Sequence, residues 1–278
     1  MEKDTQKIVL GILGVLIFLN ILAWIAVFDF AHYKFLEVTF FDVGQGDAIF
    51  IETPQSQQIL IDGGPSSVIL EKLSKEMPFW DKSIDLVILT HPERDHLGGL
   101  IEVLKKYKVE NVLWTGVVRD TAEYKEWVKL IEGKKANVFI AKGSEKIKVS
   151  GTILDVLYPF ENLEGKEFKN SNDTSIVNRL VFGQDFFLFT GDISKSTEKK
   201  LIEKQIDINS NILKVAHHGS KTSSSEEFIN KVSPRLAIIS VGENNSYGHP
   251  QPETLEILNK FGIKVLRTDK LSDIKIIS

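Results

Sequence analysis

Hydrophobic positions along the chain fall into two regimes. Residues 8–28 form one unbroken apolar run in which Asn20 is the only strongly polar side chain. At ~1.5 Å per residue, such a run matches the ~30 Å hydrocarbon core of a bilayer. From residue 36 onward the apolar residues come in short bursts separated by Gly, Pro, Asn and Asp, a pattern that reads as strands and turns. Strands are predicted at 36–42, 48–52, 58–62, 84–89, 111–114, 137–140, 152–157, 175–182, 186–190, 211–216, 235–240, 264–267 and 273–277. Helices are predicted at 68–76, 97–107, 196–204, 224–231 and 252–261; Leu97, Leu100, Ile101 and Leu104 fall on one face of the second. Strand meanders and strand–helix units in both halves predict an α/β fold of two sheets packed face to face, with helices outside. Segment 162–172, rich in Glu, Lys and Asn, reads as a mobile surface loop.

The apolar run is longer than a secretory core, and the residues after Ala26 do not make a small-residue cleavage site, so it reads as an uncleaved signal anchor. Lys3 and Lys7 precede it and Lys34 follows it. Two bases against one favour a cytoplasmic N-terminus and an extracytoplasmic body, a single-pass protein of the cell membrane. The predicted organisation is a tail at 1–7, a transmembrane anchor at 8–28, a linker at 29–35 and one domain at 36–278. A net charge of −4 gives no overall attraction to a polyanion, which would have to be met by a local patch or by bound metal. With no cysteine, disulfides and thiolate metal sites are excluded.

Five of the six histidines lie in three clusters: His91-Pro92-Glu93-Arg94-Asp95-His96, His217-His218-Gly219-Ser220 and Tyr247-Gly248-His249-Pro250. Imidazole mixed with carboxylate is the donor set of a divalent ion, zinc suiting the imidazoles and manganese the acids. A helix cap would explain Thr90 or Asp95, but not two histidines and a second acid. Asp62, His91, Asp192 and His217 each follow a predicted strand, and ligand sites in α/β proteins gather at strand C-termini, so one shared site is expected. The loops 44–47 and 219–225 offer amides, hydroxyls and Lys221 to phosphate oxygens; Ser224 and Ser225 read equally well as helix caps. Trp114, Tyr124 and Trp127 are assigned to packing, since no basic–aromatic interleaving marks a stacking platform.

These motifs together resemble the metallo-β-lactamase superfamily, whose loop has the form HxHxDH, and more narrowly the hydrolase domain of ComEC-type DNA-uptake competence proteins. Phe41-Asp42-Val43-Gly44-Gln45-Gly46-Asp47-Ala48 and Ile59-Leu60-Ile61-Asp62-Gly63-Gly64 resemble the family's opening, and Asn172-Asp173-Thr174-Ser175-Ile176-Val177 its middle motif. Leu213-Lys214-Val215-Ala216-His217-His218-Gly219-Ser220 and Ser246-Tyr247-Gly248-His249-Pro250 resemble its later ones. The resemblance covers the chain from about Leu36 onward and implies an αββα four-layer sandwich.

It also implies a hydrolase with one or two divalent ions, Zn2+ or Mn2+. His91 and Glu93 would serve one ion, Asp95 and His96 the other, with Asp192 bridging and His217 or His218 completing the set. In extended backbone the two adjacent histidines could not both face the site. Asp62 would orient the loop from behind. Asp95, Asp192 and His249 are the catalytic candidates, His249 as a further ligand or as proton donor to the leaving group. Ser220, Lys221 and Asn172 are the substrate-contact candidates. Two departures weaken one metal position: Glu93 stands for the superfamily's second loop histidine, and 172–175 lie where a further histidine is expected. The carboxylate would bias that position toward manganese or magnesium. The implied function is a phosphodiesterase or nuclease acting on DNA in connection with uptake, working alone or with a separate channel subunit. Its rivals are a cell-envelope choline-ester phosphodiesterase and a non-catalytic accessory subunit.

Overall fold

The computed structural model describes residues 2–32, 35–149 and 151–278, without side-chain detail at 2–3 and 29–32. Helix α1 (Glu2–His32) carries a 25-residue stretch, Asp4–Phe28, whose most apolar 18 residues have a mean hydropathy of 2.7 and no burial, long and apolar enough to cross a membrane. The helix runs four residues past the apolar stretch, so part of the expected linker is helical. Lys34, used above to orient the anchor, lies outside the described residues.

The remaining elements follow in order: β1 (Glu37–Phe40), β2 (Ile49–Glu52), β3 (Gln58–Ile61), α2 (Val68–Glu76), β4 (Ser83–Ile88), α3 (Arg94–Lys106), β5 (Lys108–Trp114), α4 (Ala122–Gly133), β6 (Asn137–Ile140), β7 (Glu145–Val149), β8 (Thr152–Tyr158), β9 (Val177–Phe182), β10 (Asp185–Phe189), α5 (Lys195–Glu203), β11 (Ile212–Lys214), α6 (Glu226–Val232), β12 (Leu236–Ile239), α7 (Pro252–Lys260), β13 (Lys264–Arg267), α8 (Thr268–Leu271) and β14 (Ile274–Ile277). They build two seven-stranded sheets, ordered β14-β1-β2-β3-β4-β5-β6 and β13-β12-β11-β10-β9-β8-β7. This is the expected αββα sandwich.

Period-two alternation sorts side chains into its layers. On β4, Val87 packs under α2–α4, while Leu86 and Ile88 face the second sheet. On β10, Phe187 and Phe189 fill the space between the sheets and Leu188 packs under the helices of the second.

Three local expectations change. The first acidic cluster is not wholly a loop, because α3 begins at Arg94 and takes Asp95 and His96 into its first turn. Segment 162–172 has little regular structure but is tied down: Val118 N–H donates to Lys166 O, Gly165 N–H to Gly116 O, and Arg119 to Phe168 O. Helix α4 and strand β7 went unpredicted. In α4, Lys and Glu surround Trp127, so only Trp127 and Ile131 are buried; β7 is an edge strand reading EKIKV.

Helix α3 lies directly on the turn after β3, and this contact sets the site. Gly99 N–H donates to Gly64 O and Gly63 N–H to His96 O, each at 2.8 Å. A methyl on Gly99 would collide with the Gly63 carbonyl, and one on Gly98 would meet Pro65 O at 2.5 Å. The substitution Gly99→Ala should therefore destabilise the domain by ~3 kcal/mol, the upper range for overpacking. Denaturant unfolding followed by near-UV circular dichroism measures this, and an unchanged midpoint would mean that the helix can back away from the turn.

Candidate metal centre

The cluster lies where the two sheets meet at the C-terminal ends of their strands. The turn after β3 supplies Asp62, the β4–α3 connection His91 and Glu93, the first turn of α3 Asp95 and His96, the loop after β10 Asp192, and the turn after β11 His217 and His218. One oxygen or nitrogen from each of Asp95, His96, Asp192 and His218 lies within 4.8 Å of all the others. The Nε2 of His96 is 3.4 Å from Asp192 Oδ2; that of His218 is 3.3 Å from Asp95 Oδ2 and 3.4 Å from Asp192 Oδ2. Two ligands each ~2.1 Å from one ion at a tetrahedral angle stand about 3.4 Å apart, so this spacing suits one divalent ion.

Tautomers are fixed from behind. His96 Nδ1 is 2.7 Å from Asp62 Oδ2 and His218 Nδ1 is 2.9 Å from Ser240 O. Each Nδ1 faces an acceptor, so it carries the proton and turns the Nε2 lone pair toward the cluster. His91 follows the same rule. Its Nδ1 is 3.1 Å from Thr90 Oγ1 and 3.2 Å from Ser175 Oγ, whose protons go to Asp62 and to Asn172 O. The Nε2 atoms of all three are buried without a hydrogen bond, as is Asp192 Oδ1. Orphaned buried donors and acceptors of this kind are costly unless an ion or substrate takes them.

The electrostatics agree. Burial would lower the His96 and His218 imidazoles, but the surrounding carboxylates, Asp192 first, outweigh it: His96 is held well above its ordinary value and His218 is pushed up to about 10. Burial likewise opposes ionisation of Asp192, yet His218, His96 and Lys214 hold it well below the usual carboxylate range. A divalent cation supplies the charge that the two histidine protons would otherwise supply. His91, by contrast, is lowered to about 3 by burial and by the His96 charge.

Sequence reasoning missed Lys214 and the inward role of Asp47. Lys214 stands at the inter-sheet end of β11, fully buried and ion-paired with Asp47, its ammonium 3.9 Å from Asp192 Oδ1. Asp47 Oδ1 in turn lies 3.4 Å from His218 Nδ1. A lysine inside the apolar strand Ile212-Leu213-Lys214-Val215 was the available signal, since such a charge is buried only when paired.

Glu93 lines the same small cavity, of about 170 Å³, but its carboxylate is engaged elsewhere. Arg119 Nη2 lies 2.7 Å from Glu93 Oε1, and the Ser171 hydroxyl donates to the same oxygen. Neither His91 nor Glu93 joins a cluster of three ligand atoms among the described residues.

His217 and His218 both reach the site because neither is extended: their φ angles are +51° and +55°, a left-handed pair that turns both rings inward. His218 enters the cluster. His217 stays at the rim, Nε2 4.0 Å from Asp192 and 3.3 Å from the Asn172 amide. His249 lines the opposite wall with its ring 5.6 Å from that of His217, and burial with the neighbouring imidazoles lowers it to about 4. Of the substrate-contact candidates, Asn172 lines the cavity; Ser220 bonds Thr222 beside it and Lys221 is exposed away from it. Ser225 caps α6 by accepting from Phe228 N–H.

A profile of the metallo-beta-lactamase superfamily matches residues 41–243, and the chain belongs to that superfamily. It is 35% identical over 254 residues to ComE operon protein 3 of Bacillus subtilis, a match covering 84% of this chain and 32% of that protein. It is 30% identical over 236 residues to the competence protein ComA of Neisseria gonorrhoeae, covering 84% and 31%. The chain thus spans about a third of the length of these curated relatives, which are ComEC-type competence proteins. Among solved structures, the metallo-beta-lactamase fold protein YhfI of Bacillus subtilis superposes with a TM-score of 0.59 at 12% identity, over 87% of this chain and all of that one.

Asp192→Ala should leave the far-UV spectrum unchanged and weaken binding of Mn2+ or Zn2+ at least as much as loss of an outer-shell partner does, ~10–100-fold. Glu93→Gln should leave the affinity nearly unchanged, because its carboxylate is held by Arg119 and Ser171. Calorimetric titration of the two variants checks both, and equal losses would return Glu93 to the ligand set.

Proposed function

We propose that this superfamily hydrolase is a membrane-anchored phosphodiesterase that binds one divalent ion and cleaves DNA during uptake. The observation that carries the reading is the quartet Asp95, His96, Asp192 and His218, buried but for Asp95, whose two fixed tautomers and orphaned atoms face one point. Such a site is costly to keep without an ion, which speaks against a decayed accessory subunit. When bound, the ion supplies Lewis acidity, activating water and neutralising charge that develops on the phosphoryl group. Asp62, Ser240 and Lys214 hold the liganding groups and their charges in place. Asn172, His217 and His249 line the cavity as hydrogen-bonding partners for a phosphodiester. The Arg119–Glu93 pair occupies the ground of the second ion seen as optional from the sequence, and this supports a single-ion site.

The DNA substrate is supported by the relatives, whose names are those of competence proteins, and so is pairing with a separate channel subunit. The anchor and outward orientation are supported by α1 and by Lys3 and Lys7. The test of activity is full-length protein in detergent, loaded with Mn2+ or Zn2+, given linear DNA, a generic phosphodiester reporter and a choline phosphodiester. The expected result is one ion per chain by mass spectrometry and cleavage of DNA and reporter that chelator abolishes. Cleavage of the choline ester alone would turn the reading to envelope chemistry, and two ions per chain would remove the single-ion site.

Orientation has its own check. Protease added to intact cells should degrade residues 36–278, and protection until lysis would reverse the topology and with it the case for incoming DNA.

A further inference from the structure

We propose that the loop between α2 and β4 is a second membrane contact, with Phe79 and Trp80 seated in the interfacial layer of the bilayer that α1 enters. The proposal rests on the anchoring reading above.

Phe79 and Trp80 are 81% and 72% exposed, with ring centroids 4.8 Å apart, edge to face. Two adjacent large aromatics this bare on a folded domain mark a contact surface. Strand register fixes where they stand. Glu37 pairs with Glu52 and with Ile277, Glu52 with Gln58, and Ser83 with Lys108. Gln58 also binds Asp81 through its side-chain amide. The start of β1, the end of β2 and the starts of β3 and β4 therefore share one end of the first sheet. Phe35, itself 55% exposed, precedes β1 at that end, so the chain arrives from α1 beside Phe79 and Trp80.

The occupant is a lipid interface and not an anionic partner. Trp and Phe favour the headgroup–acyl boundary, where an aromatic body can be buried while its edge stays wet. The basic residues near this end are engaged: Lys275 with Glu37 and Glu76, Lys108 with Glu110, and Lys82 over the Tyr107 ring. A neutral bilayer is therefore sufficient. With two attachments the domain has a fixed tilt. Its metal centre lies at the opposite end of the same strands, so residues 83–91, at ~3.3 Å each, hold it on the order of 25–30 Å from the lipid.

The test uses the full-length chain carrying Trp24→Phe, reconstituted in phosphatidylcholine vesicles with or without bromine on the acyl chains. Trp114 and Trp127 are buried, which leaves Trp80 as the exposed fluorophore. Expected are co-flotation with the vesicles and a loss of fluorescence in the brominated ones that disappears in Trp24→Phe/Trp80→Phe. Co-flotation without that loss overturns the contact and leaves the anchor standing. Failure to float overturns the anchor and the contact together.

Discussion

Everything at the heart of this domain answers to one constraint: four carboxylates, Asp47, Asp62, Asp95 and Asp192, converge between two apolar sheets. Negative charge of that density is expensive away from water and must be matched by nearby positive charge and hydrogen bonds. The fold meets part of the demand with Lys214 and part with N–H groups, such as that of Thr90, which donates to Asp62 at 2.8 Å. What remains is a demand for cationic charge aimed at one point. The chemistry of the site is therefore a property of the core, and strands, turns and tight glycine contacts are arranged to hold the carboxylates together against their own repulsion.

The same accounting explains Glu93. A carboxylate in place of imidazole adds charge where the cluster already has an excess, and Arg119 answers it locally. Arg119 also ties the β4–α3 connection to the 116–119 turn and, through Phe168 O and Ser171, to the segment that carries Asn172.

The architecture was legible because alternation and turn chemistry recur along the chain, and the cluster because histidine and acid are rare beside apolar strand ends. Three things were not. Helix α4 hides one buried Trp among charges, and its periodicity is weak. Lys214 was not singled out, because burial of a lone charge depends on a partner more than a hundred residues away. The pair His217–His218 defied a rule that holds for extended backbone, since two consecutive left-handed residues cannot be foreseen without the contacts that force them. Glu93 shows the remaining limit: motif position marked it as a ligand, while the arginine it pairs with lies outside any motif.

One edge of the first sheet joins the two ends of the domain. Leu36 N–H donates to Ser278 O, and Ser278 N–H returns to Leu36 O, joining the first strand after the helix to the last residues. Contacts of such long separation form late, because the intervening loop must be ordered before they repay its entropy. During synthesis β1 emerges with one edge bare and keeps it so until residue 278 has been made. A partly synthesised domain thus offers an open strand edge, and β14 seals it by pairing along the whole of β1.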